Sequence, residues 1–436
     1  MIRDSSDSTP RVTHPVTLAD WLAYQERLHP NTIDLGLERL QRVLARLDWQ
    51  RPSCPIVTVG GTNGKGSCVA MLESILIAAG YRVGAFTSPH LIRYNERIRI
   101  CGRDAGDAAL VAAFKKIESA RDDVSLTFFE FNALAALVIF AAEDLDVIVL
   151  EVGMGGRLDA VNVVDADVAI VSSIALDHCD WLGNNVESIA REKAGIFRKD
   201  RPAIFGSHEV PNMILSEARR IGAKLQRLGA DFDVVLENGT WKWSGANHAM
   251  NRLPLPNLSG AVQFENAATV LAALDALRDR LVVDRRAIEK GLRNTALRGR
   301  FQVIHRHCEW ILDVAHNPAA AQVLARNLAE RSRQGRTIAV CGILGDKDSA
   351  GVVDSVCDQI DEWVLTDLVS ARSLAAKALA GTVEQRNGRV AHIAADVKSA
   401  CIFANSIARP ADRIVVFGSF YTVGPALEWL EENRDT

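Results

Sequence analysis

Ile56-Val57-Thr58-Val59 runs directly into Gly60-Gly61-Thr62-Asn63-Gly64-Lys65-Gly66-Ser67. The first four residues are apolar or β-branched and predict a buried strand. From Ser67 to Ala79 the pattern is helical, with Gly80 placed to cap it. A glycine-rich segment between strand and helix turns backbone N–H groups toward an anion, and the helix N-terminus adds positive potential. Lys65 can bridge the terminal phosphates of a nucleotide, and Ser67 can offer a hydroxyl to Mg²⁺. A glycine turn with an exposed lysine accounts for the glycines, but not for strand, loop, lysine, serine and helix in that order. The spacing departs from the generic loop, which has a further glycine five residues before Gly64 and Ser or Thr directly after the lysine. Here Val59 and Gly66 occupy those places, which argues against an ordinary GTPase.

Outward from this segment the same pattern repeats. Arg82 to Phe86 ends in Thr87-Ser88-Pro89-His90, Asp146 to Val152 ends in Gly153-Met154-Gly155-Gly156, and Val168 to Ile174 ends in Ala175-Leu176-Asp177-His178. Nearly all-apolar strands alternating with helices imply a parallel sheet covered on both faces, an α/β architecture. Open sheets of this kind place their sites past the C-terminal ends of the strands. The pattern restarts at Trp310 to Asp313, Thr337 to Gly342, Glu362 to Leu365 and Arg413 to Gly418, with an interruption near Leu297-Arg298-Gly299-Arg300. The reading is a P-loop-containing central domain with a mostly parallel sheet over residues 1–297, and a smaller Rossmann-like α/β C-terminal domain over 298–436.

The 436 residues are enough for two or three domains. Fifty Lys and Arg against 54 Asp and Glu give a net charge of −4, which argues against a nucleic-acid binder. The first 17 residues carry acids and no apolar core, so they do not read as a secretory signal. The strongly apolar stretch Ala133 to Ala142 is about half of what a membrane helix needs. Eight scattered cysteines with no CxxC pair read mostly as reduced core residues. A cytoplasmic enzyme without membrane contact is expected.

Mg²⁺ prefers oxygen ligands and shares its sphere with nucleotide phosphates, so Ser88 and Glu151 are reasonable ligands, with His178 an unusual third. Taken singly each has a plainer explanation: Ser88 as a helix cap, Glu151 in a surface pair, His178 as a hydrogen-bonded loop residue. Their common position at strand ends beside a phosphate loop is what favours a site. Residues 191–197, REKAGIF, read by themselves as a solvated helix face.

Taken together, these segments resemble the folylpolyglutamate synthase family of the Mur ligase superfamily, and within it the bifunctional bacterial dihydrofolate synthase/folylpolyglutamate synthases. The matching text is TIDLGLER (32–39), GTNGKGS (61–67), SPHL (88–91), YNER (94–97), LTFFEF (126–131) and EVGMGGRLDA (151–160). It continues with LDHCDWLG (176–183), REKAGIF (191–197), Pro256-Asn257, GRFQ (299–302), DVAHNP (313–318) and GDKD (345–348). The order is the family's from about residue 20 to 425, and the co-occurrence is far more specific than any one motif.

The resemblance implies a Mur-ligase-like central domain and an ATP-dependent C–N ligase. Such an enzyme adds L-glutamate to dihydropteroate and to reduced folates through an acyl phosphate, releasing ADP and phosphate. It implies Thr62, Asn63, Gly64, Lys65, Gly66, Ser67, Asn266, Arg300, Asp313 and His316 at ATP, and two Mg²⁺ ions on Ser67, Ser88, Glu151, His178 and Lys193. Lys65, His178 and Lys193 would be catalytic, Lys193 as a carbamate. Thr32, Ile33, Asp34, Thr127, Phe128, Phe129, Glu130, Leu158, Asp159 and Ala160 would line a pterin pocket, where rings stack on the pterin and acids meet its N–H groups. At least two of Phe128, Phe129 and Phe131 read as ordinary core, and Phe129 and Asp159 are the strongest pterin candidates. The family is largely monomeric. Cys179 departs from the family's Thr beside His178, and Asn132 and Ala133 also depart from its pattern. A ligase without dihydropteroate use, a peptidoglycan ligase (which normally carries more than the roughly 50 residues found before this loop) and a nucleotide-switched binding protein are the competing readings.

Overall fold

The structure is a computed structural model that describes residues 15–237, 239–246 and 248–433. Most of the stretch read as lacking a signal, residues 1–14, lies outside the described residues. The first sheet takes β1 (Ile56–Gly60), β2 (Val83–Phe86), β3 (Ile98–Ile100), β4 (Arg103–Asp104), β5 (Val147–Glu151), β6 (Val168–Val171), β7 (Pro202–Phe205) and β8 (Lys224–Arg227). Their order is β4-β3-β2-β5-β1-β6-β7-β8. From β2 through β5, β1, β6 and β7 to β8 every pair is parallel, and the β2–β3 and β3–β4 pairs at the other edge are antiparallel.

The phosphate-loop strand β1 sits between β5 and β6, so three strand ends open onto one place. Every residue of β1, β5 and β6 is buried because the two faces feed separate cores. Ile56, Ile148 and Val171 pack toward Trp21, Phe114 and Phe131, whereas Val57, Val149 and Ile170 pack toward Val69, Leu72 and Leu271. Each such aliphatic side chain contributes about 1.5–3 kcal/mol by leaving water. The apolar run Ala133 to Ala142 belongs to the helix Phe128–Ala141, whose Thr127–Glu130 capping box fixes its start. No helix among the described residues is long and apolar enough to cross a membrane.

A three-stranded antiparallel sheet of β9 (Asp233–Glu237), β10 (Thr240–Ser244) and β11 (Ala249–Leu253) is attached to this unit. Trp241 and Trp243 alternate inward from β10 onto the second core, a period-2 pattern that the reading for parallel strands passed over.

The second sheet comprises β12 (Gln302–His305), β13 (Glu309–Leu312), β14 (Thr337–Cys341), β15 (Glu362–Thr366), β16 (Val390–Ala394) and β17 (Arg413–Phe417), ordered β12-β13-β17-β14-β15-β16. Only β12 pairs antiparallel. Its C-terminal strand ends face the phosphate loop, which brings Asp313 to Asn317 against Gly61 to Ser67.

Candidate active site

The phosphate loop leaves β1 with φ +134° at Gly61 and enters the helix Lys65–Ala78 through Gly64 at φ +85°. A Cβ on Gly61 would lie 2.1 Å from Ser172 Oγ, and one on Gly64 would lie 2.6 Å from Asn266 Oδ1. Both conformation and close approach therefore require glycine. No side chain caps the helix, so its first N–H groups are left for an anion.

Two lysines converge here. Lys65 Nζ donates to the carbonyls of Gly61 at 3.1 Å and Thr62 at 3.0 Å. Lys193 is 4% exposed, and its Nζ donates to the same Gly61 carbonyl at 2.9 Å. Burial lowers the Lys65 pKa, with Glu151 opposing. Burial also brings the Lys193 amine down to about 7, and the charge of Lys65 adds to the effect. A substantial neutral fraction makes Lys193 a nucleophile toward CO₂.

Glu151 ends β5 with its carboxylate accepting from Ser88 N–H at 3.2 Å, and burial raises its pKa. His178 holds φ +52° at the start of a short helix. Burial drives its pKa down to about 4, so its imidazole is neutral and has a lone pair to offer. A carboxylate, two serine hydroxyls and a neutral imidazole form a donor set suited to a hard divalent cation. No group of three His, Cys, Asp or Glu among the described residues is arranged to hold a metal alone.

One cavity is lined by Thr62 to Ser67, Ser88, Glu151, His178, Lys193, Asn266, Arg300, Asp313 and His316. Every predicted ATP and metal residue is thus brought together. Asn266 is fixed by a bond to Gln263 at 3.0 Å. Arg300 lies over the Phe420 ring at 5.4 Å from its centroid, with Asp313 as its main opposite charge. Asp313 in turn accepts from Phe301 N–H at 2.9 Å and Ala315 N–H at 2.8 Å.

Asp177, Asn317 and Lys347, for which the sequence predicts no role, help to join the two sheets at this cavity. Asn63 and Asn317 exchange amide hydrogen bonds at 3.2 and 3.1 Å, and Asn317 also donates to Asp177 at 3.0 Å. Lys347 reaches Asp177 at 2.6 Å, and His316 lies 3.5 Å from the same carboxylate. Burial opposes ionisation of Asp177, but His316, His178 and Lys347 outweigh it and hold the pKa well below the usual carboxylate range. The one local signal was Asn317 before Pro318, a helix cap followed by proline, and Asn317 does cap the helix Pro318–Glu330.

The predicted pterin residues lie outside that cavity's lining, and several are committed to one another. Arg39 joins Asp34 at 2.7 Å to Glu130 at 2.9 Å, while Glu130 also accepts from Thr127 N–H at 2.8 Å. Thr32 is exposed, Ile33 and Leu158 are half-buried, and Ala160 is core. Phe129 packs on Gly153, where an added Cβ would meet its ring at 2.5 Å. Asp159 accepts from Met154 N–H at 2.8 Å and Val161 N–H at 3.1 Å, and burial raises it to about 6. Phe129 and Asp159 thereby meet at the Gly153–Met154 turn that borders the cavity. Phe131 is fully buried, whereas Phe128 and Phe129, on the first turn of their helix, are half-buried.

Residues 59–229 match the Mur ligase middle domain, and residues 299–420 match the Mur ligase glutamate ligase domain. The chain is 46% identical over 426 residues to the dihydrofolate synthase/folylpolyglutamate synthase of Escherichia coli (strain K12), covering 98% of each. An E. coli FolC structure in complex with DHPP and ADP is 45% identical, with a TM-score of 0.91 over 96% of this chain and 99% of that one. A bifunctional folylpolyglutamate synthase/dihydrofolate synthase with Mn, AMPPNP and L-glutamate bound is 44% identical, with a TM-score of 0.88 over 95% and 98%. The chain belongs to the dihydrofolate synthase/folylpolyglutamate synthase family of the Mur ligases.

Proposed function

We propose that this chain is an ATP-dependent ligase that joins L-glutamate to dihydropteroate and to reduced folates, acting as a cytoplasmic monomer. The observation that carries the reading is the convergence of an uncapped phosphate-loop helix with Arg300, Asp313 and His316 from the second sheet in one cavity. We place the domain division at residues 297 and 298, so that Arg300 sits at the junction and reaches phosphate when the domains close.

In this scheme residues 62–67 hold the triphosphate, and Asn266, Arg300, Asp313 and His316 hold the nucleotide from the other sides. An acceptor carboxylate oxygen attacks the γ-phosphorus as the bond to the β-phosphate bridge breaks and ADP leaves. The glutamate amine then attacks the acyl carbon, loses a proton, and phosphate departs. Lys65 offsets the repulsion between carboxylate and phosphate, and in-line placement supplies much of the remaining acceleration. Ser67, Ser88, Glu151, His178 and a carbamylated Lys193 would hold two Mg²⁺ ions. Those ions would neutralise phosphate charge. Phe129 and Asp159 would face the pterin, Asp159 meeting its N–H groups.

The test is ATP-dependent incorporation of labelled L-glutamate, with dihydropteroate and tetrahydrofolate as separate acceptors. Incorporation with both is expected. Incorporation with tetrahydrofolate alone removes the pterin assignment and leaves a narrower ligase; none with either, despite ATP binding, overturns the reading.

A further inference from the structure

Arg97 ends the short turn Tyr94–Arg97 and is only 7% exposed. Its carbonyl accepts from Thr87 N–H at 2.8 Å, one residue before Ser88, which anchors it at the same end of the sheet as Glu151. The guanidinium lies 5.5 Å from the Phe128 ring centroid and 5.8 Å from that of Tyr94. The Tyr94 hydroxyl donates to buried Asn132, which fixes that ring.

The charge of Arg97 is not neutralised. Its Nε donates to His90 Nδ1 at 2.8 Å, and a ring nitrogen that accepts carries no proton and no negative charge. Neither terminal nitrogen has a hydrogen-bond partner among the described residues. Glu96 and Glu151 act on it only at longer range. Two residues on, Arg99 is paired with Glu73 at 2.8 Å, so the local sequence has carboxylates available and does not use one here. A buried cation without a counter-charge is costly, and a ligand anion is what would relieve that cost.

We propose that Arg97 binds the carboxylate of the acceptor, with Phe128 and Tyr94 flanking the aryl ring that bears it. This rests on the ligase reading and deepens it by assigning the benzoate end of dihydropteroate. The chemistry selects this anion. A planar carboxylate suits a planar guanidinium fork, and its ring suits two aromatic neighbours. A triphosphate already has the glycine loop and Lys65, and glutamate brings no ring.

The experiment compares equilibrium binding of dihydropteroate and of its carboxamide to the full-length wild type and to Arg97→Met, with ADP binding as the control for folding. Wild type should prefer the acid. Arg97→Met should weaken dihydropteroate by roughly 100-fold while carboxamide and ADP affinities stay unchanged. Arg97→Lys, which keeps the charge and loses the fork, should weaken dihydropteroate alone by about tenfold and carries the test if the methionine variant does not fold. Equal affinity of wild type for acid and amide, an unaltered dihydropteroate affinity in the variants, or an equal loss for carboxamide or ADP would each overturn the assignment. Wild type that binds ADP but no dihydropteroate would overturn the acceptor reading itself.

Discussion

At the N-terminal edge of the large sheet, Asp167 is 4% exposed and accepts from Ile56 N–H at 2.9 Å and from Arg51 at 2.6 Å. Arg280 at 2.9 Å and Arg201 at 3.1 Å complete its surroundings. The second sheet repeats the arrangement at its own N-terminal edge, where Arg336 bonds Asp412 at 2.8 Å and Glu362 at 3.1 Å. At the C-terminal ends of the same strands, Lys65 and Lys193 have only main-chain carbonyls, Glu151 has one backbone N–H, and Arg300 has a ring face. Ions closed on one another at one edge hold the strands in register. Apart from the Lys347–Asp177 pair, these groups at the other end are met by dipoles and a ring face and stay open to a ligand.

That contrast breaks most visibly at Lys65. Lys65→Ala should lower glutamate incorporation by at least about 10³-fold while the melting temperature is retained, as expected for a charge used in the transition state. A variant that loses stability as much as activity would mean that the lysine is structural. Arg300→Ala should cost about 10²-fold in ATP turnover; intact turnover would remove Arg300 from the phosphate.

Asp167→Asn tests the opposite edge. It should cost roughly 2–3 kcal/mol in urea unfolding and leave ADP affinity unchanged, because three arginines lose their common partner. Burial pushes Asp167 up, but the Ile56 amide and Arg51 more than offset this and hold it below its usual 3.8. The wild-type advantage should therefore be complete above about pH 5 and vanish as pH falls below 3.8 through the lower folded value. An advantage that persisted in acid would contradict the pairing.

Lys193 sharpens the comparison through pH. Forming the carbamate from the ammonium and CO₂ releases two protons, and from the free amine one. At fixed dissolved ¹³CO₂ and low occupancy the signal should therefore rise about a hundredfold per pH unit below pH 7 and about tenfold per unit above it. A slope of about a hundredfold that persisted to pH 9 would place the amine in an ordinary lysine environment. The smallest effect is expected at Cys179, which is exposed beside His178. Cys179→Thr should change steady-state activity by less than about threefold, and a larger change would make this departure from the family a functional one.

Local chemistry made much of this legible. The β-branched run into Gly60 and Gly61 and the start of the following helix are properties of neighbouring residues, and they fold as read. The Trp241–Trp243 alternation was equally local, but it lies in a short antiparallel sheet with no site to draw attention to it. Asp177, Asn317 and Lys347 are different. Each has an ordinary local role available, and only the approach of β13 and β14 to the phosphate loop places Asn317 and Lys347 within 3.0 Å of the Asp177 carboxylate. Asp34 and Glu130 show the reverse: acids read as pterin contacts are tied together by Arg39, a partner five residues from one and 91 from the other.

By itself the sequence determined the strand–loop–helix that cradles an anion, the doubling of the α/β pattern, and the residue types gathered at the strand ends. Those follow from backbone conformation and side-chain period, which act over a few residues. The tertiary structure decided which charges are neutralised and which are left open. Whether a buried ion is a strut or a ligand site depends on the group across from it, and that group can lie far along the chain, as Lys347 does from Asp177.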